Sequence, residues 1–86
     1  MKKREYRIDL GGVRSARALH ARLDGKLPFP EGYGRNLDAL YDILTGLPHL
    51  GRRFRILLPT EDAPCRGYAE IMAQVFEDAG AVVRTD

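Results

Sequence analysis

Two carboxylates four residues apart, Asp38 and Asp42 in L-D-A-L-Y-D-I-L-T-G (37–46), are the groups in this chain best placed to do chemistry. At ~3.6 residues per turn they share one helix face, about 100° to 140° round from Leu37. Such a pair can act as general acid and base, or it can offer fixed negative charge to a basic partner. Acid–base work needs surroundings that push two carboxyl pKa values apart, and two acids on one exposed face lack that asymmetry. An enzyme is therefore the weakest reading. Asp38 lies in the first turn, where unpaired amides and the helix dipole favour an acid. Asp42 is mid-helix, where aspartate is a poor helix former and repels Asp38 by ~0.2–0.5 kcal/mol. Nothing in the fold asks for Asp42, although charges on a helix face are commonly just solvated.

The remaining reactive side chains have bland readings. His20 and His49 lie far apart without metal-ligand spacing. His20 could be a catalytic base, but a half-buried structural histidine is the better reading. Cys65 is the sole cysteine, which excludes an internal disulfide and leaves a zinc site without thiolate partners. It reads as a small, partly buried apolar residue. No phosphate-cradling G-x-x-x-x-G-K and no dinucleotide fingerprint is present. No catalytic residue, metal or cofactor is expected.

The helix that carries the acids has clear punctuation. Pro30, Gly32 and Gly34 hold the preceding segment out of regular structure, Asn36 is a good N-cap, and Gly46 is expected to end the helix in a left-handed conformation. Leu37, Leu40, Tyr41 and Leu44 form the buried stripe, with Tyr41 bordering the acidic face. Upstream, Tyr6, Ile8 and Leu10 alternate as a first strand, broken by Gly11-Gly12. Ser15 caps a helix with Ala16, Leu19, His20 and Leu23 on one face and Gly25 at its end. Downstream, Leu47 to Gly51 is a connector, and Phe54 to Leu58 is apolar enough to be a central strand, stopped by Pro59. A last helix, begun by Asp62 or its neighbours, carries Tyr68, Ile71, Met72, Val75, Phe76 and Ala79 as a core stripe. Gly80 closes it before a short strand from Ala81 to Thr85. The order is β-α-α-β-α-β, an α/β fold with a small three-stranded parallel sheet and about three helices.

Composition bounds the rest. The 86 residues are 44% hydrophobic, enough for one domain over 1–86 with a modest core and no membrane span. Glu5, Arg7 and Asp9 interrupt any signal-peptide apolar region after Met1-Lys2-Lys3-Arg4, so the cytoplasm is the expected location. The net charge of +2 is uneven: residues 14–26 carry +3 and 51–60 carry +3, whereas 27–50 carry −2 and 61–78 carry −4. If the two acidic segments pack side by side, one face is negative and steers towards a basic partner.

The ungapped pattern G-x-N-L-D-A-L-x-D-x-L-T-G, carried by Gly34 to Gly46, resembles the barstar family of intracellular ribonuclease inhibitors. Leu19-His20, the run to Leu27-Pro28, and Gln74-Val75-Phe76 are also similar, so the resemblance covers most of the chain. It implies the same architecture, with the central and last helices forming a binding face for a basic ribonuclease or related toxin. The chain is expected to be monomeric when free. Carried over residue by residue, Asp42 would plug the phosphate site of the nuclease, with Asp38 its neighbour and Tyr41 an aromatic flank where the family typically carries tryptophan. Asp78 would be the acid of the last helix, Gly34 and Asn36 would shape the loop, and Gly46 would permit close approach. A ribonuclease site holds phosphates with Arg, Lys and His; a rigid acidic helix can occupy it without offering a cleavable bond.

Several positions depart from the pattern. Gly32 stands where the family's namesake has an aromatic contact, Arg35 replaces an acid, Leu47 replaces an aromatic, and the chain as a whole is basic. These departures point to a retained face with a changed partner. A shorter connection from the second strand to the last helix also implies that a small helix of the family is absent there. Two rival readings have other origins. A small nucleic-acid-binding protein would use Lys2, Lys3, Arg4, Arg7, Arg52, Arg53 and Arg55, but without the interleaved aromatics of single-strand binders. A protein-interaction or immunity module would use the same acidic face on a non-nuclease partner.

Overall fold

The computed structural model describes residues 5–27, 29, 31–46 and 53–85. Lys2 to Arg4, Pro28, Pro30, the connector with Leu47 and His49, Gly51 and Arg52 lie outside the described residues. The elements are β1 (Glu5–Asp9), α1 (Ala16–Lys26), α2 (Leu37–Gly46), β2 (Arg53–Leu57), α3 (Arg66–Asp78) and β3 (Val82–Thr85). This is the expected β-α-α-β-α-β order.

The strands form one parallel sheet in the order β1-β2-β3, so the apolar second strand is central as its composition requires. Parallel neighbours need crossovers, which α1 with α2 and then α3 supply. Period-two alternation sends Ile8, Phe54 and Ile56 to the core and Glu5, Arg7, Arg53 and Arg84 to the opposite face. Phe54 lies edge-on to Phe76 of α3, with ring centroids 4.8 Å apart. Burying each of these rings contributes about 1.5–3 kcal/mol.

α1 starts at Ser15, whose hydroxyl accepts the Ala18 N–H at 3.1 Å, and buries Leu19, His20 and Leu23. It continues through Gly25 to Lys26, one residue past the glycine expected to end it. The Leu27 N–H donates to the Leu23 carbonyl at 2.9 Å and holds that last turn. α3 begins at Arg66 rather than near Asp62, because turns span residues 61–65 and Thr60 bonds Asp62 within them. No small helix occupies this connection, as its length implies. Cys65 precedes α3 with its thiol donating to the Val13 carbonyl at 3.2 Å, and it is fully rather than partly buried. At the far end Gly80 takes φ +97, and the Ala81 N–H reaches back to the Phe76 carbonyl, turning the chain into β3.

Candidate functional site

The acidic helix is positioned from both ends and from beneath. At its start the Asn36 side chain accepts the Ala39 N–H at 2.7 Å through Oδ1, while its Nδ2 donates to the Gly34 carbonyl at 3.3 Å. One side chain thus caps the helix and fixes the loop before it. A Cβ at Gly34 would sit 3.3 Å from Asn36 Nδ2, so the amide would have to give by a few tenths of an ångström, and at an ordinary 3.4 Å from the Ala39 Cβ. Beneath, Leu40 is 0% exposed, with Leu37 and Leu44 packed against the same core. In the last turn the Thr45 hydroxyl donates to the Tyr41 and Asp42 carbonyls at 3.0 and 3.1 Å.

This anchoring leaves Asp38, Tyr41, Asp42 and Gly46 on the solvent side. Tyr41, placed in the buried stripe by its spacing, is 43% exposed and belongs to the solvent-facing border instead. Among the described residues no side chain hydrogen-bonds or ion-pairs with either carboxylate. Gly46 is the last helical residue and is not left-handed, which corrects the expectation drawn from its position. Its exposed, side-chain-free surface still leaves room for close approach. Asp78 is exposed on α3, which packs against α2, and its Oδ1 accepts from the Gln74 amide at 3.0 Å. The structure therefore puts the acids of α2 and α3 on neighbouring helices.

The left-handed residue of this region is Arg35, at φ +53. A side chain in that conformation costs about 1–2 kcal/mol relative to glycine. Its guanidinium meets Asp24 of α1 at 3.2 Å, across side chains that are 48% and 33% exposed. A pair so exposed contributes at most about 1 kcal/mol, less than or comparable to the backbone cost. The Arg35 charge is therefore partly offset by Asp24, which lies against it.

One hydrogen-bonded bridge near the loop is a feature that spacing did not reveal. His20, only 1% exposed, bridges two hydroxyls: Nδ1 to Tyr33 at 2.5 Å and Nε2 to Tyr68 at 2.7 Å. It is buried rather than half-buried. Neutral imidazole has one donor and one acceptor nitrogen, so one tyrosine accepts from the ring and the other donates to it. Burial, and secondarily the Arg35 charge, lowers the His20 pKa. Burial raises both tyrosines, with the Tyr68 and Asp24 charges adding to the shift at Tyr33. The bridge ties α1, the loop before α2, and α3 together. A polar residue on the apolar face of α1 was the signal for such a partner, since buried polar groups are hydrogen-bonded.

Among the described residues no group of three His, Cys, Asp or Glu side chains could hold a metal ion, and no helix is long and apolar enough to cross a membrane. The chain is 51% identical over 43 residues to "Putative ribonuclease inhibitor YrdF" of Bacillus subtilis (strain 168), covering 50% of this chain and 47% of that protein. The match thus spans about half the length of that relative. The family described as "Barstar (barnase inhibitor)" matches over residues 3–85. With a match of that extent, and with the expected β-α-α-β-α-β fold around the acidic helix, the chain belongs to the barstar family.

Proposed function

We propose that this chain is a ribonuclease inhibitor that binds a basic nuclease through the exposed face of α2 and blocks its active site. The observation that carries the reading is the pair Asp38 and Asp42, solvent-facing on a helix fixed by the Asn36 cap and the buried Leu40. The family and the named relative support the same role. Asp42 takes the place of a substrate phosphate, Asp38 adds to the field beside it, and Tyr41 packs at the flank. Asp78 extends the negative face along α3, while Gly34, Asn36 and Gly46 shape its edges. Carboxylates held in place meet arginine and lysine in charge-assisted bonds, and their shared field raises the association rate.

The chain acts by occupation and not by catalysis, as one domain in the cytoplasm. Gly32 lacks a side chain where an aromatic contact would add apolar area, and Arg35 is held by Asp24. Both favour a target other than the familiar guanyl-preferring enzyme, such as a different basic nuclease or toxin. The test is to titrate the chain into RNA cleavage by a panel of small basic microbial ribonucleases. Stoichiometric loss of cleavage for one member, weakened by added salt, supports the reading. Full activity of every member at high micromolar inhibitor, with pull-downs recovering only non-nuclease proteins, favours the interaction-module reading instead.

A further inference from the structure

The face of the sheet turned away from the core carries a row of arginines. In the parallel register Arg7 of β1 stands opposite Arg55 of β2, and Arg55 stands opposite Arg84 of β3. One residue pair along, Arg53 lies between Glu5 and Val82. Arg7, Arg53 and Arg84 are exposed, Val82 is 55% exposed, and Arg55 is half-buried with an interaction of its own. Like charges directly opposite on neighbouring strands destabilise a sheet. Arg55 has its own interaction, which leaves Arg7 and Arg84 as the exposed ends of the row, with Glu5 and Asp9 on the same face of β1.

We propose that this row is a phosphate-backbone binding site for RNA, on the sheet face opposite the one that packs on the core. Two strand spacings of ~4.8 Å set the exposed Arg7 and Arg84 about 10 Å apart, a separation suited to tracking a polyanion. Arginine is the side chain best matched to phosphate, through its planar fork of donors. The sheet's aromatic residues, Tyr6 and Phe54, stack on each other in the core-facing layer, with ring centroids 5.6 Å apart. Bases thus have no platform on this face, and binding is to the backbone, without sequence preference and sensitive to salt. The site is independent of the inhibitor reading, because it uses no residue of α2 or α3.

The test is fluorescence anisotropy of a labelled 20-nucleotide oligouridylate in about 20 mM salt, titrated with the wild-type chain, with Arg7→Gln/Arg84→Gln, and with Arg17→Gln/Lys26→Gln on α1. Each phosphate contact to a single strand contributes a slope of about −0.7 to log K against log salt, so Arg7 and Arg84 together are expected to account for about −1.4. The sheet variant is expected to bind at least tenfold more weakly with a shallower slope, while the α1 variant binds as the wild type does. Urea unfolding of both variants confirms that each is folded. Absence of binding by wild type, or equal weakening by the α1 variant, overturns the assignment. Sedimentation would then ask whether the row engages an acidic protein surface instead, seen as self-association lost in the sheet variant.

Discussion

Asn36 and Ala39 are joined by a 2.7 Å bond from the Ala39 amide to the Asn36 side chain, and that bond sets where the acidic helix begins. Asp38 lies between the two, so the cap and the first carboxylate share one turn. Replacing Asn36 by alanine is expected to cost about 1 kcal/mol, read as a lower urea midpoint at unchanged m-value. Asn36→Asp keeps a capping oxygen and should retain most of that stability. Equal losses in both variants would mean that the cap does not fix the helix.

Asp42 gives the opposite result in the free protein. It is exposed, mid-helix and four residues from Asp38, so Asp42→Ala removes a poor helix former and a like-charge neighbour. Stability is expected to rise by about 0.5 kcal/mol in low salt, with the gain shrinking as salt screens the repulsion. Chemical denaturation at two ionic strengths checks both parts. A destabilised Asp42→Ala would show that the carboxylate has a structural role.

The His20 bridge makes stability depend on pH at both ends. The folded pKa of His20 is lowered, by burial first and then by Arg35, so below the unfolded value of about 6.5 the unfolded chain binds the proton that the native chain refuses. Its contribution is therefore complete above that pH, declines as pH falls below it, and levels off once the folded pKa is passed. Tyr33 and Tyr68 are raised, so their contribution is complete below about 10 and is lost as pH rises beyond it. His20→Gln, which keeps a donor and an acceptor, should flatten the difference between pH 7.5 and 5.5. Urea midpoints of both proteins across that range decide it, and parallel curves would remove His20 as the cause.

Much of the fold was legible because it rests on periodicity. Leu37, Leu40 and Leu44 mark α2 by their spacing, and Phe54 and Ile56 mark a central strand by alternation and burial. The backbone exceptions were harder to read. Gly25 and Gly46 look like helix ends yet are helical, since a single glycine costs only about 1 kcal/mol in a helix. The left-handed residue before α2 is Arg35, a type that carries no such signal. At the candidate site, the i, i+4 spacing placed Asp38 and Asp42 on one exposed face. The partners Asp24 and Tyr33 were not legible, because Asp24–Arg35 and His20–Tyr33 join residues 11 and 13 apart across a turn of the chain. Pairings across the sheet are equally invisible in sequence: the arginines at 7, 55 and 84 align only through the register.

The central claim is that Asp42 stands in for a substrate phosphate, and one measurement tests it most directly. Inhibition of a small basic ribonuclease is titrated with the wild-type chain and with Asp42→Ala, whose fold the denaturation experiment verifies. Removing one partner of a desolvated charge pair costs about 2–5 kcal/mol, so the variant should inhibit at least about thirtyfold more weakly than wild type. Undiminished inhibition by Asp42→Ala would contradict the account.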